Sequence, residues 1–206
     1  FGFAKFITID GVKIWTQRLS YVGELGYELY VDLKDAKKIY ELLIEKGKDF
    51  NLSNCGMHAM DIMRMESGFL HWGHDISPEE NQYQAGLAFT ISNKKDVDFI
   101  GKQALEKIKQ DKVKTRFSMF TLKESEPGKP LLLHDEPIYD GEKIIGRSTS
   151  GNYSFNFKKN LVFGYINNDF SNEELQNKNL FIEVEKKKYP ISIQSEPLKR
   201  TDFKNL

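Results

Sequence analysis

The residues of this chain best suited to chemistry lie in Arg18-Leu-Ser-Tyr21-Val-Gly-Glu24-Leu-Gly-Tyr27-Glu28-Leu-Tyr30. Gly23 and Gly26 mark a sharp reversal, because glycine accepts positive φ without a Cβ clash, so extended segments at 12–21 and 27–32 should meet as a tight hairpin. The returning segment alternates with period two: Tyr27, Leu29 and Val31 share one face, Glu28 and Tyr30 the other. An ionised carboxylate facing away from the apolar stripe can accept two parallel hydrogen bonds, the geometry that grips an amidine-like or 2-aminopyrimidinone edge. The plainer alternative is a solvated strand residue, the commoner fate of a charged side chain in a strand. Glu24, in the turn, is expected to be solvated.

Other chemistry-bearing residues are weaker candidates. His71, His74 and Asp75 have no further His or Cys at ligand spacing, and structural zinc sites want four such ligands, so polar structural roles are expected and no metal. His58 and His134 carry no stronger signal. Cys55 is the lone cysteine and reads as a small core residue. Gly146-Arg-Ser-Thr-Ser-Gly151 lacks the Gly-Lys-Ser/Thr ending and the following helix of a phosphate loop. The run Glu185-Lys-Lys-Lys188 reads as a charged turn between strands.

Bulk properties exclude several function classes. Thirty basic residues balance thirty acidic ones over 206 residues, which argues against a nucleic-acid partner. No apolar run reaches the length of a membrane span. A lone cysteine permits no internal disulfide and fits a reducing compartment, the cytoplasm or, in a eukaryote, the mitochondrial matrix. The chain begins at Phe1, which reads as a fragment or processed piece.

Stepping along the chain, apolar residues at 36, 39, 40, 43 and 44 predict a helix capped by Asp35 and stopped at Gly47. A second helix is expected from about Met57 to Glu66, rich in methionine that suits core packing, then a short strand at Gly86–Ser92 and a third helix near Gly101–Gln110. From Thr115 onward short extended runs alternate with turn signals such as Asp140-Gly141, predicting a small antiparallel barrel or sandwich. The fold class is α+β: an incomplete α/β unit with a hairpin at 1–112, then an antiparallel β-unit at 113–206, with Lys112–Lys114 as the boundary. Trp15 and Trp72 read as packing residues.

Tyr21-Val-Gly-Glu-Leu-Gly-Tyr-Glu28 resembles the Tyr-Thr-Gly-Glu-x-Gly-Tyr-Glu signature of the folate-binding aminomethyltransferases, the glycine cleavage T-protein family. Gly56–Gly68, Gly73-His-Asp75, Gln84-Ala-Gly-Leu87, Asp98–Leu105, Gly146–Gly151 and Ser195-Glu-Pro-Leu198 follow in the order of that family, so the resemblance covers almost the whole chain. One branch is especially similar: the C-terminal folate module of dimethylglycine and sarcosine dehydrogenases, which also tends to lack the Arg that T-proteins carry where this chain has Met60. The resemblance implies the C-terminal part of the folate domain over 1–112 and a C-terminal β-barrel over 113–206. It implies tetrahydrofolate as cofactor, held at its pterin end by Tyr21 and Glu28, with Phe203 as an aromatic neighbour. Arg64 would either fork a folate carboxylate or pair with Asp61. The catalytic Asp of the family lies upstream of any residue here, so no catalytic residue is expected in this stretch, which alone should be inactive. The implied whole is an enzyme passing a one-carbon unit from an N-methyl amine to tetrahydrofolate, with FAD confined to an upstream flavin domain. A stand-alone transferase, a sulfonium demethylase or a non-catalytic folate-binding module are the alternatives.

Overall fold

The computed structural model describes residues 2–91, 98–111 and 113–199. It forms two compact units, one built on residues up to Phe69 together with Lys199, the other on Leu70–Leu198. Among the described residues no helix is long and apolar enough to cross a membrane.

The first unit opens with three antiparallel strands in the order β1 (Phe3–Ile9), β2 (Val12–Arg18) and β3 (Glu28–Tyr30). Asp10 and Gly11 take φ of 47° and 78° and close the β1–β2 turn, as right-handed strand twist favours for a two-residue connection. Strand β1 had no counterpart in the sequence reading. The predicted tight turn between β2 and β3 is instead a nine-residue connection, 19–27, with pairing confined to Trp15–Tyr30, Thr16–Leu29 and Gln17–Glu28. Gly23 has φ +67° as expected, whereas Gly26 is needed because a Cβ there would sit 2.7 Å from the Leu19 carbonyl oxygen. Tyr27 lies outside the strand and is exposed, so it does not join an apolar stripe.

Helix α1 (Leu33–Gly47) begins three residues earlier than predicted, with Asp32 rather than Asp35 at its N-cap; Asp35 instead sits in the first turn, where a negative charge complements the helix dipole. Helix α2 (Met57–Glu66) falls where its periodicity placed it and buries Ile62, Arg64, Met65 and Glu66. It ends in a Schellman motif: Gly68 takes φ +74°, its N–H reaches Met65 O at 3.0 Å, and Phe69 N–H reaches Arg64 O at 2.9 Å. Cys55 is exposed and not a core residue, because it precedes the buried part of α2.

The second unit contains α3 (Lys102–Asp111) and a closed six-stranded antiparallel barrel. Its strands are β4 (Thr115–Leu122), β5 (Pro137–Asp140), β6 (Lys143–Ser154), β7 (Lys159–Asn167), β8 (Leu180–Val184) and β9 (Lys187–Gln194), in the spatial order β4-β7-β6-β5-β8-β9. Closure removes the exposed edges that an open sheet would present. Alternate residues such as Phe120, Ile138, Val162, Ile166, Ile182 and Ile191 point inward and form the core. Strand β6 runs further than predicted, through Gly146–Gly151, with a bulge between Ser148 and Ser150. The expected strand near 86–91 is absent: Ala88–Thr90 form one 3-10 turn after Gly86, whose φ of +71° breaks the extended path, and Ser92 lies outside the described residues. Helix α4 (Asn172–Gln176) went unpredicted despite a capping box in which Ser171 and Glu174 satisfy each other's backbone N–H groups. Lys187 and Lys188 belong to β9, and only Glu185 and Lys186 form the turn, at φ of 50° and 64°.

Candidate functional site

Strand register decides which side chains of the first unit can act together. Directly opposed residues of antiparallel strands share a face, so Phe6, Trp15 and Tyr30 form one cross-strand row, and Ala4, Gln17 and Glu28 the next row on the same face. The opposite face carries Ile14 and Thr16, both buried. The aromatic row stays open: Phe6 and Tyr30 are more than half exposed, and Phe6 meets Trp15 with ring centroids 4.8 Å apart. Trp15 is therefore half-open on this face, while Trp72, at 66% exposure, is not a packing residue at all.

Glu28 is exposed on that face, and the Tyr30 hydroxyl donates to its Oε2 at 2.6 Å. This bond fixes the carboxylate orientation and holds the Tyr30 phenol above its ordinary pKa, since ionising it would lose the bond and set two negative charges together. Each carboxylate oxygen accepts two hydrogen bonds, so Glu28 keeps acceptor capacity on both oxygens.

Tyr21 lies in the 19–27 connection, and its ring stacks on Phe69 at 6.4 Å with 13° between planes. The Schellman turn of α2 sets Phe69 in that place. The same connection is tied down by Ser67, whose hydroxyl donates to Val22 O at 3.4 Å, and by Lys199, whose ammonium reaches Val22 O at 3.4 Å and Glu24 Oε1 at 2.6 Å. Glu24 is exposed, as expected of a solvated turn residue, and also pairs with Lys199. Arg64 is only 1% exposed; it forks to Asp61 Oδ1 from Nε at 2.9 Å and Nη2 at 2.8 Å, and Nη1 donates to Phe69 O at 3.0 Å. Of the two roles foreseen for Arg64, these bonds form the pairing with Asp61, and they brace the turn under Phe69. Tyr21 and Glu28 engage different partners, Phe69 and Tyr30. Phe203 lies outside the described residues.

In the second unit Asp75 is 1% exposed and anchors the loop around it. Its Oδ1 accepts from Thr149 Oγ1 at 2.5 Å and Ser150 Oγ at 2.8 Å, and its Oδ2 from the His71 N–H at 2.9 Å. The β6 bulge turns two consecutive residues, Thr149 and Ser150, toward this one carboxylate. Among the described residues no three His, Cys, Asp or Glu side chains converge to hold a metal. The aromatic platform with its fixed carboxylate was only half legible, because finding it required β1, which supplies Phe6; the Asp10-Gly11 dipeptide between alternating segments was the available signal.

The model of the GCVT N-terminal domain matches residues 1–95, and that of the glycine cleavage T-protein C-terminal barrel domain matches residues 116–199. The chain belongs to the glycine cleavage T-protein family. It is 34% identical over 198 residues to the mitochondrial dimethylglycine dehydrogenase of Rattus norvegicus, covering 96% of this chain and 22% of that protein. It is also 34% identical over 167 residues to the aminomethyltransferase of Symbiobacterium thermophilum, covering 81% of this chain and 44% of that one. The glycine cleavage system aminomethyltransferase T from Bartonella henselae superimposes with a TM-score of 0.77 at 23% identity, over 91% of this chain and 50% of that one, which shows a shared fold. The chain thus spans about a fifth of the length of the dehydrogenase and under half that of the transferase.

Proposed function

We propose that this stretch is the tetrahydrofolate-holding portion of an enzyme of the dimethylglycine or sarcosine dehydrogenase type, in which a one-carbon unit leaves an N-methyl amine and is captured on tetrahydrofolate. The observation that carries the reading is the open sheet face on which Glu28 stands beside the Phe6–Trp15–Tyr30 row. A flat heterocycle gains apolar contact on such a row, while its N3–H and 2-amino donors meet a carboxylate whose direction Tyr30 already fixes. Tyr21, supported by Phe69, supplies a second aromatic surface in the family signature. Arg64 serves at one remove, holding the turn that seats Phe69; Phe203, outside the described residues, enters this reading only through the family resemblance, as an aromatic neighbour of folate.

Tetrahydrofolate supplies the nucleophilic amine that accepts the one-carbon unit; this chain's residues bind and orient it, and positioning of that kind can provide several kcal/mol of barrier reduction, roughly 7–11 in well-oriented systems. Amine oxidation on FAD would occur in a domain outside this chain, and the 206-residue stretch alone would turn over neither dimethylglycine nor sarcosine. A cytoplasmic or mitochondrial-matrix location accompanies the reading, as the rat relative is mitochondrial. The equal identity to the Symbiobacterium aminomethyltransferase favours a second reading, a transferase without a flavin domain. Upstream sequence separates the two, since a Gly-x-Gly-x-x-Gly strand–turn–helix would mark the flavin domain.

Glu28→Gln in the full-length protein tests the assignment. Gln replaces one acceptor with an amine that faces a pterin donor, so folate affinity should fall by roughly 2–4 kcal/mol, about thirty-fold to several-hundred-fold. Amine-driven flavin reduction should be unchanged, with the carbon released as formaldehyde. Calorimetric affinity within about two-fold of wild type would remove Glu28 from the site.

A further inference from the structure

Strand register seats one more polar side chain beside Glu28. Ala4 opposes Gln17 and Gln17 opposes Glu28, so the three form a single row on the open sheet face, one step along the strands from the aromatic row. Directly opposed Cβ atoms lie about 4.5–5.5 Å apart, which brings the Gln17 amide and the Glu28 carboxylate to the same part of that face. Ala4 ends the row with an exposed methyl group and leaves room beside Gln17. Gln17 is half-buried, and its side chain has no hydrogen bond to another described residue; Glu28 has one, from Tyr30.

The two groups differ in what they offer a ligand. A carboxylate only accepts, so it takes a pair of donors and is blind to the atom beside that pair. A carboxamide carries one acceptor and two donors, and its surroundings decide which is presented. Oε1 turned toward Glu28 would set acceptor against acceptor, so Nε2 is favoured on that side. The row then reads acceptor, acceptor, donor, and the ligand edge that matches it reads donor, donor, acceptor. The 2-amino group, N3–H and 4-oxo oxygen of a pterin follow in that order along one edge. A 4-amino group in place of the 4-oxo oxygen would set a donor against Nε2, and turning the amide to accept from it would bring Oε1 against the Glu28 charge.

We propose that Gln17 is a specificity-determining residue of this site, donating its Nε2–H to the 4-oxo oxygen of the pterin that Glu28 holds. The inference rests on the folate reading and deepens it: Glu28 and the aromatic row would hold any flat ring with a donor pair, and Gln17 selects the 4-oxo form.

The test is a calorimetric titration of the full-length protein, under exclusion of oxygen, with tetrahydrofolate and with its 4-amino-4-deoxy analogue. Gln17→Leu, close in size, should weaken tetrahydrofolate by about five- to ten-fold and leave the analogue within about two-fold, so the preference for the 4-oxo ring falls by nearly the same factor. Gln17→Glu sets an acceptor against the 4-oxo oxygen and a second charge beside Glu28, and should weaken tetrahydrofolate by about thirty-fold or more. A change that only loosened the sheet would weaken both ligands together. Far-UV circular dichroism reports whether Gln17→Leu keeps its fold, and Gln17→Val, β-branched and suited to a strand, carries the test if it does not. Unchanged tetrahydrofolate affinity in Gln17→Leu, or equal losses for the two ligands, would overturn the proposal. Glu28→Gln measured alongside separates that failure from failure of the folate reading. Binding weakened by Glu28→Gln but not by Gln17→Leu removes Gln17 alone from the site, and binding weakened by neither removes both.

Discussion

Replacing Asp75 should destabilise the second unit far more than a typical single change. The carboxylate is almost fully buried and accepts from Thr149, Ser150 and the His71 amide, with two of those bonds on Oδ1 and one on Oδ2. In Asp75→Asn one oxygen survives. If it faces the hydroxyls, the new amine opposes the His71 N–H; if it faces His71, the amine opposes Thr149 and Ser150. Losing one charge-assisted bond and creating one donor–donor contact costs about 2–4 kcal/mol. Asp75→Ala leaves three donors without this acceptor but relieves the burial of a charge, so about 3–5 kcal/mol is expected. Urea unfolding followed by circular dichroism gives the global figure, and amide hydrogen exchange at His71 gives the local one, an acceleration of about 30-fold or more for Asn. In a double-mutant cycle with Thr149→Val, the pair should show a coupling of about 1 kcal/mol or more. Asp75→Asn within about 0.5 kcal/mol of wild type, with no coupling to Thr149, would refute the view that this carboxylate fastens its loop to the β6 bulge.

Three further changes have definite expected outcomes. Gly164→Ala would place a Cβ 2.4 Å from the Arg147 carbonyl oxygen, backbone that cannot yield, so a loss of about 2–4 kcal/mol or failure to fold is expected; a melting temperature within about 2 °C of wild type would contradict it. Ser171→Ala removes the capping box of α4 and should cost about 1 kcal/mol by urea midpoint, with Ser171→Gly recovering part of it. Tyr165 titrates above its ordinary value, so beyond about pH 10 the unfolded chain loses a proton that the folded chain keeps; stability is full below that pH and falls as pH rises. Unfolding midpoints at pH 9 and 11 should therefore fall less steeply in Tyr165→Phe, and equal slopes would count against a buried phenol.

Legibility in the sequence followed the physics of each element. Helix α2 was placed to the residue because ten residues of helical periodicity end at a glycine able to take positive φ. The barrel strands were found from short β-branched and aromatic runs, and their closure was implied by the family resemblance. The 19–27 connection departs from the expected tight turn because Gly26 serves a close backbone approach to Leu19. Residues 86–91 read as a strand from their apolar content, yet no neighbouring strand pairs with them among the described residues, and pairing is what makes a strand. Glu28 and Tyr21 were legible from a signature; the aromatic row beside Glu28 was not, since it exists only once β1, β2 and β3 fix their register. A polar structural role was expected for Asp75, but the same limit hid its partners Thr149 and Ser150, which lie 74 and 75 residues away in the chain.

The most direct test of the proposed function is a crystal structure of the full-length protein with a reduced folate bound. The account predicts the pterin lying along the Phe6–Trp15–Tyr30 row, with its N3–H and 2-amino group within about 3 Å of Glu28. A pterin bound elsewhere, with Glu28 still in solvent and paired only to Tyr30, would contradict it.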